Sequence, residues 1–197
     1  MIQSIPLVLA SRSPRRIALL RQIGLNPEVV PSTIEEEFDW TASPEDNATR
    51  LALAKASEVA HSVGEAVVIG ADTIVVLDGK YLAKPTDPID ATRMLTSLSG
   101  RTHIVVTGIA LVYLQSARSI VDYEKTNVTF RTIPTEEIES YVASGSPLDK
   151  AGAYGIQDDY GGVFVSRIEG CYYNVVGLPL SKFHSRLVEF SRQLNRK

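Results

Sequence analysis

Residues 66–71, AVVIGA, are apolar without a break. A strand that is apolar on both faces must be covered on both, which places it inside a sheet. The neighbouring sequence supplies the covers. PLVLA at 6–10 reads as a second strand, and 14–23 as a helix with Ile17, Leu20 and Ile23 on its stripe and Gly24 as its stop. A short strand at 26–31 and the acidic loop TIEEEFDW at 33–40 precede a helix that Ser43-Pro44-Glu45-Asp46 opens and that runs to about Ser62. TIVVL and KYLAK flank Asp78-Gly79, a two-residue hairpin signal. Asp87-Pro88 opens a third helix with Ala91, Met94, Leu95 and Leu98 on one face, closed by Gly100. THIVVTGIALVYL and IVDYEKTNVTFRTI read as long paired strands and 135–143 as a short helix. The glycine-rich stretch 145–162 then leads into VFVSRIE and CYYNVVG, with Cys171 as a half-buried thiol in a strand. A last helix carries Leu180, Phe183, Leu187, Phe190 and Leu194, a stripe read as packing on the core. Alternating elements with several hairpins predict an α/β fold on a mixed sheet, with 1–197 as a single domain.

The first helix begins oddly. Ser13 reads as its N-cap, Pro14 as its first residue, and Arg15 and Arg16 as the next two. A helix N-terminus already carries partial positive charge, so acidic residues are expected there. This first turn is charged the wrong way, and an anion from outside the chain would balance it.

Bulk composition narrows the partners. A formal charge of −3 argues against a nucleic-acid or anionic-membrane binder acting through bulk electrostatics, so basic residues must act locally. One cysteine excludes an intramolecular disulfide framework and a cysteine-based zinc site. The N-terminal apolar run is too short for a membrane span and lacks a signal peptide's basic start, which points to the cytoplasm. His61, His103 and His184 lie far apart and read as surface or boundary residues rather than metal ligands. Phosphate-loop, dinucleotide-binding and nucleophile-elbow motifs are absent.

What remains are charges in expensive places. Asp72 follows AVVIGA directly, at the expected carboxyl end of a buried strand, where open α/β sheets bind ligands. Lys55 lies among Ala48, Ala52 and Val59 on the apolar side of its helix; taken alone it reads as a lysine snorkelling along the core edge. Lys84 ends the hairpin strand and by itself is an ordinary edge-strand lysine. Glu35, Glu36 and Glu37 are a solvated loop unless one of them meets Asp72 at a divalent cation. Gln157, after the glycine-rich stretch, is either a loop amide satisfied by backbone or a reader of a base edge. Together these residues describe a polyphosphate site with a metal, and the residue chemistry reaches phosphate esters and no further.

The blocks LVLASRSPRR, IGADTIVVLDGKYLAKP, SGRTHIVVTG, LDKAGAYGIQ and VVGLPL, in this order from about residue 7 to 182, resemble the Maf family of nucleoside triphosphate pyrophosphatases. The resemblance implies an elongated mixed sheet flanked by helices, with two lobes and a cleft between them, and a homodimer. It implies hydrolysis between the α- and β-phosphates, giving the monophosphate and pyrophosphate with Mg²⁺ or Mn²⁺. Carried over, Asp72 is the base, Arg15, Arg16, Lys55 and Lys84 hold the substrate's phosphates, Ser11 takes part in substrate binding, and Glu36 with Asp72 places the metal. Arg15, Thr73 and Gln157 match the branch that prefers dTTP and UTP, and the branch acting on 7-methyl-GTP fits less well. Arg12 replaces the small residue usual between the two serines. The resemblance leaves two alternatives open: modified pyrimidine triphosphates as the main substrates, and a regulatory nucleotide-binding protein linked to septum formation.

Overall fold

The structure is a computed structural model, and it describes residues 5–157 and 160–195. Seven strands form one mixed sheet in the order β2-β1-β3-β5-β6-β7, with β4 paired to β3. They are β1 (Leu7–Leu9), β2 (Glu28–Val29), β3 (Val67–Leu77), β4 (Lys80–Leu82), β5 (Thr102–Tyr113), β6 (Arg118–Phe130) and β7 (Val165–Glu169). The helices are α1 (Pro14–Gln22), α2 (Pro44–Ala60), α3 (Pro88–Leu98), α4 (Thr135–Ala143), α5 (Tyr172–Val176) and α6 (Leu180–Leu194). By contacts the chain divides into two compact units, 1–72 with 107–124 and 177–197, and 73–106 with 125–176.

In the first unit, β1 pairs in parallel with both β2 and β3. Ser13 caps α1 as expected: its Oγ accepts from the Arg16 N–H at 3.4 Å, Pro14 follows, and no acidic residue stands in the first turn. Helix α2 buries Ala48, Leu51, Ala52, Lys55, Ala56 and Val59. Two glycines let its backbone come down onto the strands. A Cβ at Gly70 would stand 2.0 Å from the Ala52 carbonyl oxygen, and one at Gly108 2.2 Å from that of Ala48. Real Cβ atoms cannot approach so closely, so α2 rests on β3 and β5 at bare backbone. Helix α6 buries Phe183, Leu187 and Phe190 in the core, as its stripe predicts.

The second unit is built on rings. Val75, Leu95, Leu98, Phe130, Tyr154 and Phe164 belong to one buried cluster, and Phe130 meets Tyr154 edge-on at 4.7 Å between ring centroids. Asp78 and Gly79 both have positive φ, 50° and 73°, the type I′ geometry expected of the β3–β4 hairpin. His103 departs from expectation. It is 1% exposed, at the core rather than the boundary. Its Nε2 lies 2.8 Å from the Tyr154 hydroxyl, and its Nδ1 has no partner among the described residues. Burial lowers its pKa to about 4 and raises that of Tyr154.

Three further expectations need correcting. AVVIGA and TIVVL form one unbroken strand, so Asp72 lies inside β3 rather than at a strand end. Apolar residues run on both sides of it, and an unbroken apolar run cannot mark where partners change. Lys84 lies two residues beyond β4 and is exposed. Cys171 is half-buried as expected but sits between β7 and α5, where its N–H and carbonyl are both tied to the Thr126 hydroxyl.

Candidate active site

The expensive charges of the first unit converge. Lys55 Nζ donates to Asp72 Oδ1 at 2.5 Å and to Glu36 Oε1 at 2.7 Å. Asp72 is 5% exposed and Lys55 7%, while the Glu36 side chain reaches solvent. The lysine therefore does not snorkel outward but joins a buried strand carboxylate to a loop carboxylate. Charge-assisted hydrogen bonds in such a setting are strong only as a pair, because either partner left alone is a buried, uncompensated charge. Asp72 comes just after β1 stops pairing with β3, whose last matched residues are Leu9 and Ile69. Although inside a strand, it thus lies past the carboxyl end of the parallel pairing, the kind of position where α/β sheets bind ligands.

Arg16 is aimed from the α1 terminus. Its Nε donates to the Gly177 carbonyl at 2.9 Å and its Nη1 to Ser11 Oγ at 3.1 Å, while Ser11 Oγ also accepts from the Ser13 N–H at 3.2 Å. Burial lowers the Arg16 pKa, the carboxylates of Asp72 and Glu36 pull it back up, and Arg15 pushes it down. These opposing influences place Arg16 in the same electrostatic field as the carboxylate–lysine bridge. Gly177 has φ of 119°, a conformation that L side chains avoid, and it presents the carbonyl that fixes the guanidinium. Arg15 is half-buried on the same first turn, and Arg12 is exposed.

Thr73, Lys84 and Gln157 belong to the second unit. Thr73 is half-buried in β3. Gln157 follows a turn in which Gly152 and Ala153 both have positive φ, and its half-buried side chain leaves Nε2 with no partner among the described residues.

No group of three or more His, Cys, Asp or Glu gathers among the described residues. Glu36 and Asp72 do converge, on a single cationic atom, Lys55 Nζ. Lys55 bonds one oxygen of each, and a pair of neighbouring carboxylates with a second oxygen apiece fits a hard divalent cation that takes its other ligands from water and phosphate.

Sequence reasoning missed Asn47. It is fully buried on the inner face of α2, where its amide bonds both backbone groups of Asp39 at 2.8 Å. A polar amide on an otherwise apolar helix face was the available signal.

The family model for Maf-like proteins matches residues 6–190. This chain belongs to the Maf family. A Maf relative from Moorella thermoacetica, named a dTTP/UTP pyrophosphatase, is 50% identical over 184 residues, covering 93% of this chain and 94% of the relative. Another with that name, from Bacillus cereus (strain AH820), is 46% identical over 185 residues, covering 94% and 95%. Among solved structures, the Staphylococcus aureus Ham1 protein matches with a TM-score of 0.43 at 17% identity, over 64% of this Maf chain and 71% of that one.

Proposed function

We propose that this protein is a nucleoside triphosphate pyrophosphatase that hydrolyses dTTP and UTP to the monophosphate and pyrophosphate. The observation that carries the proposal is the buried Lys55–Asp72 pair, extended to Glu36. The names of relatives at 46–50% identity over nearly the whole chain support the substrate class.

The chemistry follows from the charges. Asp72 accepts a proton as water adds across the α–β phosphoanhydride, and the bond to the leaving pyrophosphate breaks. Arg16, held by Gly177 and Ser11, stabilises negative charge as it builds on the phosphates, because its donors are oriented before the reaction begins. Arg15 shares that first turn and that role. Lys55 accompanies the Asp72 carboxylate and offers its ammonium to phosphate, and Lys84 is assigned to phosphate as well. Glu36 and Asp72 would hold Mg²⁺ or Mn²⁺, which when bound neutralises phosphate charge. Thr73 and Gln157 are assigned to the pyrimidine nucleotide. Gln157 Nε2, without a partner among the described residues, supports this, since uracil and thymine present a carbonyl acceptor beside an N3–H donor. Gln157→Glu tests it: selectivity for dTTP and UTP should fall, and unchanged selectivity would remove Gln157 from the base site.

A sensor has no use for a base, so the intact Asp72 favours turnover over a regulatory nucleotide-binding role in septum formation. A formal charge of −3 favours a nucleotide over nucleic acid as partner. No helix of the described residues is long and apolar enough to cross a membrane. The family resemblance also supports a cytoplasmic enzyme, a homodimer, and residues 1–197 acting as one pyrophosphatase domain. Light scattering reads the assembly.

The decisive experiment measures pyrophosphate released with Mg²⁺ from dTTP, UTP, CTP, dATP, GTP and 7-methyl-GTP, with Asp72→Asn as control. Turnover of dTTP and UTP is expected, and the control should lose about 10²–10⁴-fold in kcat. Silence across the panel from folded protein would refute the proposal and leave modified pyrimidine triphosphates to be tried next.

A further inference from the structure

Glu36 is carried by an irregular segment, yet that segment is not loosely placed. Residues 33–39 run antiparallel along α2, bonded to it at four successive points. Thr33 Oγ1 donates to Glu58 at 2.9 Å, Glu36 accepts from Lys55, the Glu37 carbonyl accepts from Arg50 Nη2 at 2.6 Å, and Asp39 pairs with Asn47. As the loop advances from 33 to 39, its helix partners step back from 58 to 47.

Asn47 is the anchor. Its Oδ1 accepts from the Asp39 N–H at 2.8 Å and from Arg50 Nη2 at 3.0 Å, and its Nδ2 donates to the Asp39 carbonyl at 2.8 Å and the Ser43 carbonyl at 3.3 Å. Two acceptor sites and two donors are all that a primary amide offers, and each is filled. Arg50 ties this amide to the Glu37 carbonyl, one residue from Glu36. None of these Asn47 and Arg50 bonds reaches a phosphate-binding residue directly. Their common effect is to fix where Glu36 stands relative to Lys55.

We infer that Asn47 and Arg50 are positioning residues that act through Glu36, setting the loop carboxylate against the Lys55–Asp72 pair. The inference rests on the proposed pyrophosphatase reading, in which Glu36 helps hold a divalent cation. A displacement of about 1 Å at such a group is enough to cost about a hundredfold in rate.

The test is a double-mutant cycle using Asn47→Ala, Arg50→Ala and Glu36→Gln, singly and paired. The readouts are dTTP turnover, Mn²⁺ binding by calorimetry without nucleotide, and thermal stability. Arg50 is exposed, so its variant should fold even where loss of the buried amide does not. Each positioning variant should weaken Mn²⁺ binding and lower kcat, Arg50→Ala by about tenfold and Asn47→Ala by up to about a hundredfold. Neither should lower them further in the Glu36→Gln background, whereas losses of thermal stability should persist there. Losses of activity that multiply in that background would show a merely structural role and overturn the inference. An impaired Glu36→Gln beside unimpaired Asn47→Ala and Arg50→Ala would overturn it alone. Full activity and Mn²⁺ affinity in Glu36→Gln, with dTTP still turned over, would remove Glu36 from the site and the inference with it.

Discussion

In the first unit, α2 meets the strands through Ala48, Ala52, Ala56, Gly70 and Gly108, and within that tight contact stand a lysine, an aspartate and an asparagine. In the second unit the buried space is filled by Phe130, Tyr141, Tyr154 and Phe164, with ring contacts such as Tyr141–Phe164 at 5.2 Å. Rings contribute large apolar area and tolerate a range of edge-to-face geometries. Alanines and glycines contribute little area, but they fix the distance from backbone to backbone. Lys55 Nζ reaches Asp72 at 2.5 Å on a helix that comes down to bare backbone at Gly70 and Gly108. Small residues therefore serve placement where large ones serve cohesion.

That contrast can be broken experimentally, beginning with its charged centre. Lys55→Met should remove turnover and destabilise the fold by about 3–5 kcal/mol, because Asp72 is left buried without its ammonium. A urea titration reporting a loss under 1 kcal/mol would mean the pair is better solvated than its burial implies. Phe164→Ala, fully buried among rings, should cost a similar 3–5 kcal/mol through a cavity rather than a charge. Gly70→Ala adds a single methyl, yet it should cost about 3 kcal/mol and also lower activity, since α2 must lift away from β3. Equal activity in wild type and Gly70→Ala would show that backbone contact does not set the site.

The fourth prediction concerns His103. Its folded pKa, lowered to about 4 by burial, lies below the ordinary value of 6.5. Between these values the unfolded chain binds a proton that the native core refuses. Stability should therefore decline as pH falls from 6.5 toward 4, by on the order of 2–3 kcal/mol. His103→Gln, which does not titrate, should show a shallower decline in thermal melts across that window. A parallel decline in both proteins would refute the assignment. The smallest effect belongs to Arg101 and Asp78, an exposed pair in the second unit at 2.5 Å. Its loss in Arg101→Ala should cost no more than about 0.5 kcal/mol, far less than breaking the buried pair at similar distance.

Much of this frame was legible in the sequence. Ser13-Pro14 and Asp78-Gly79 appear in the structure where local chemistry places them, because caps and type I′ turns are decided within a few residues, and the span 135–143 is the helix expected. Lys55 and Asp72 were legible as misfits, charges set in apolar surroundings, although the bond between them joins residues 17 apart and no periodicity encodes it. Asn47 was overlooked because a polar residue on an apolar stripe looks like a defect until its partner at Asp39 is known. Gly70 and Gly108 carry no local mark at all, since what they make room for is a helix distant in sequence. His103 was misplaced because one imidazole in a strand can face either way, and only the surrounding rings decide.

The latch along α2 grips the segment at residues 37 and 39 by backbone atoms alone. The side chains of Glu37 and Phe38 take no part in these bonds and can change without breaking them, but the count of residues between the grip and Glu36 cannot. Inserting or deleting one residue would slide the carboxylate by about 3.5 Å, farther than any hydrogen bond to Lys55 can stretch. Between Glu36 and Asp39 the segment thus behaves as a ruler, fixed in length, and mutational scanning should find single-residue insertions there far more damaging than substitutions at Glu37 or Phe38.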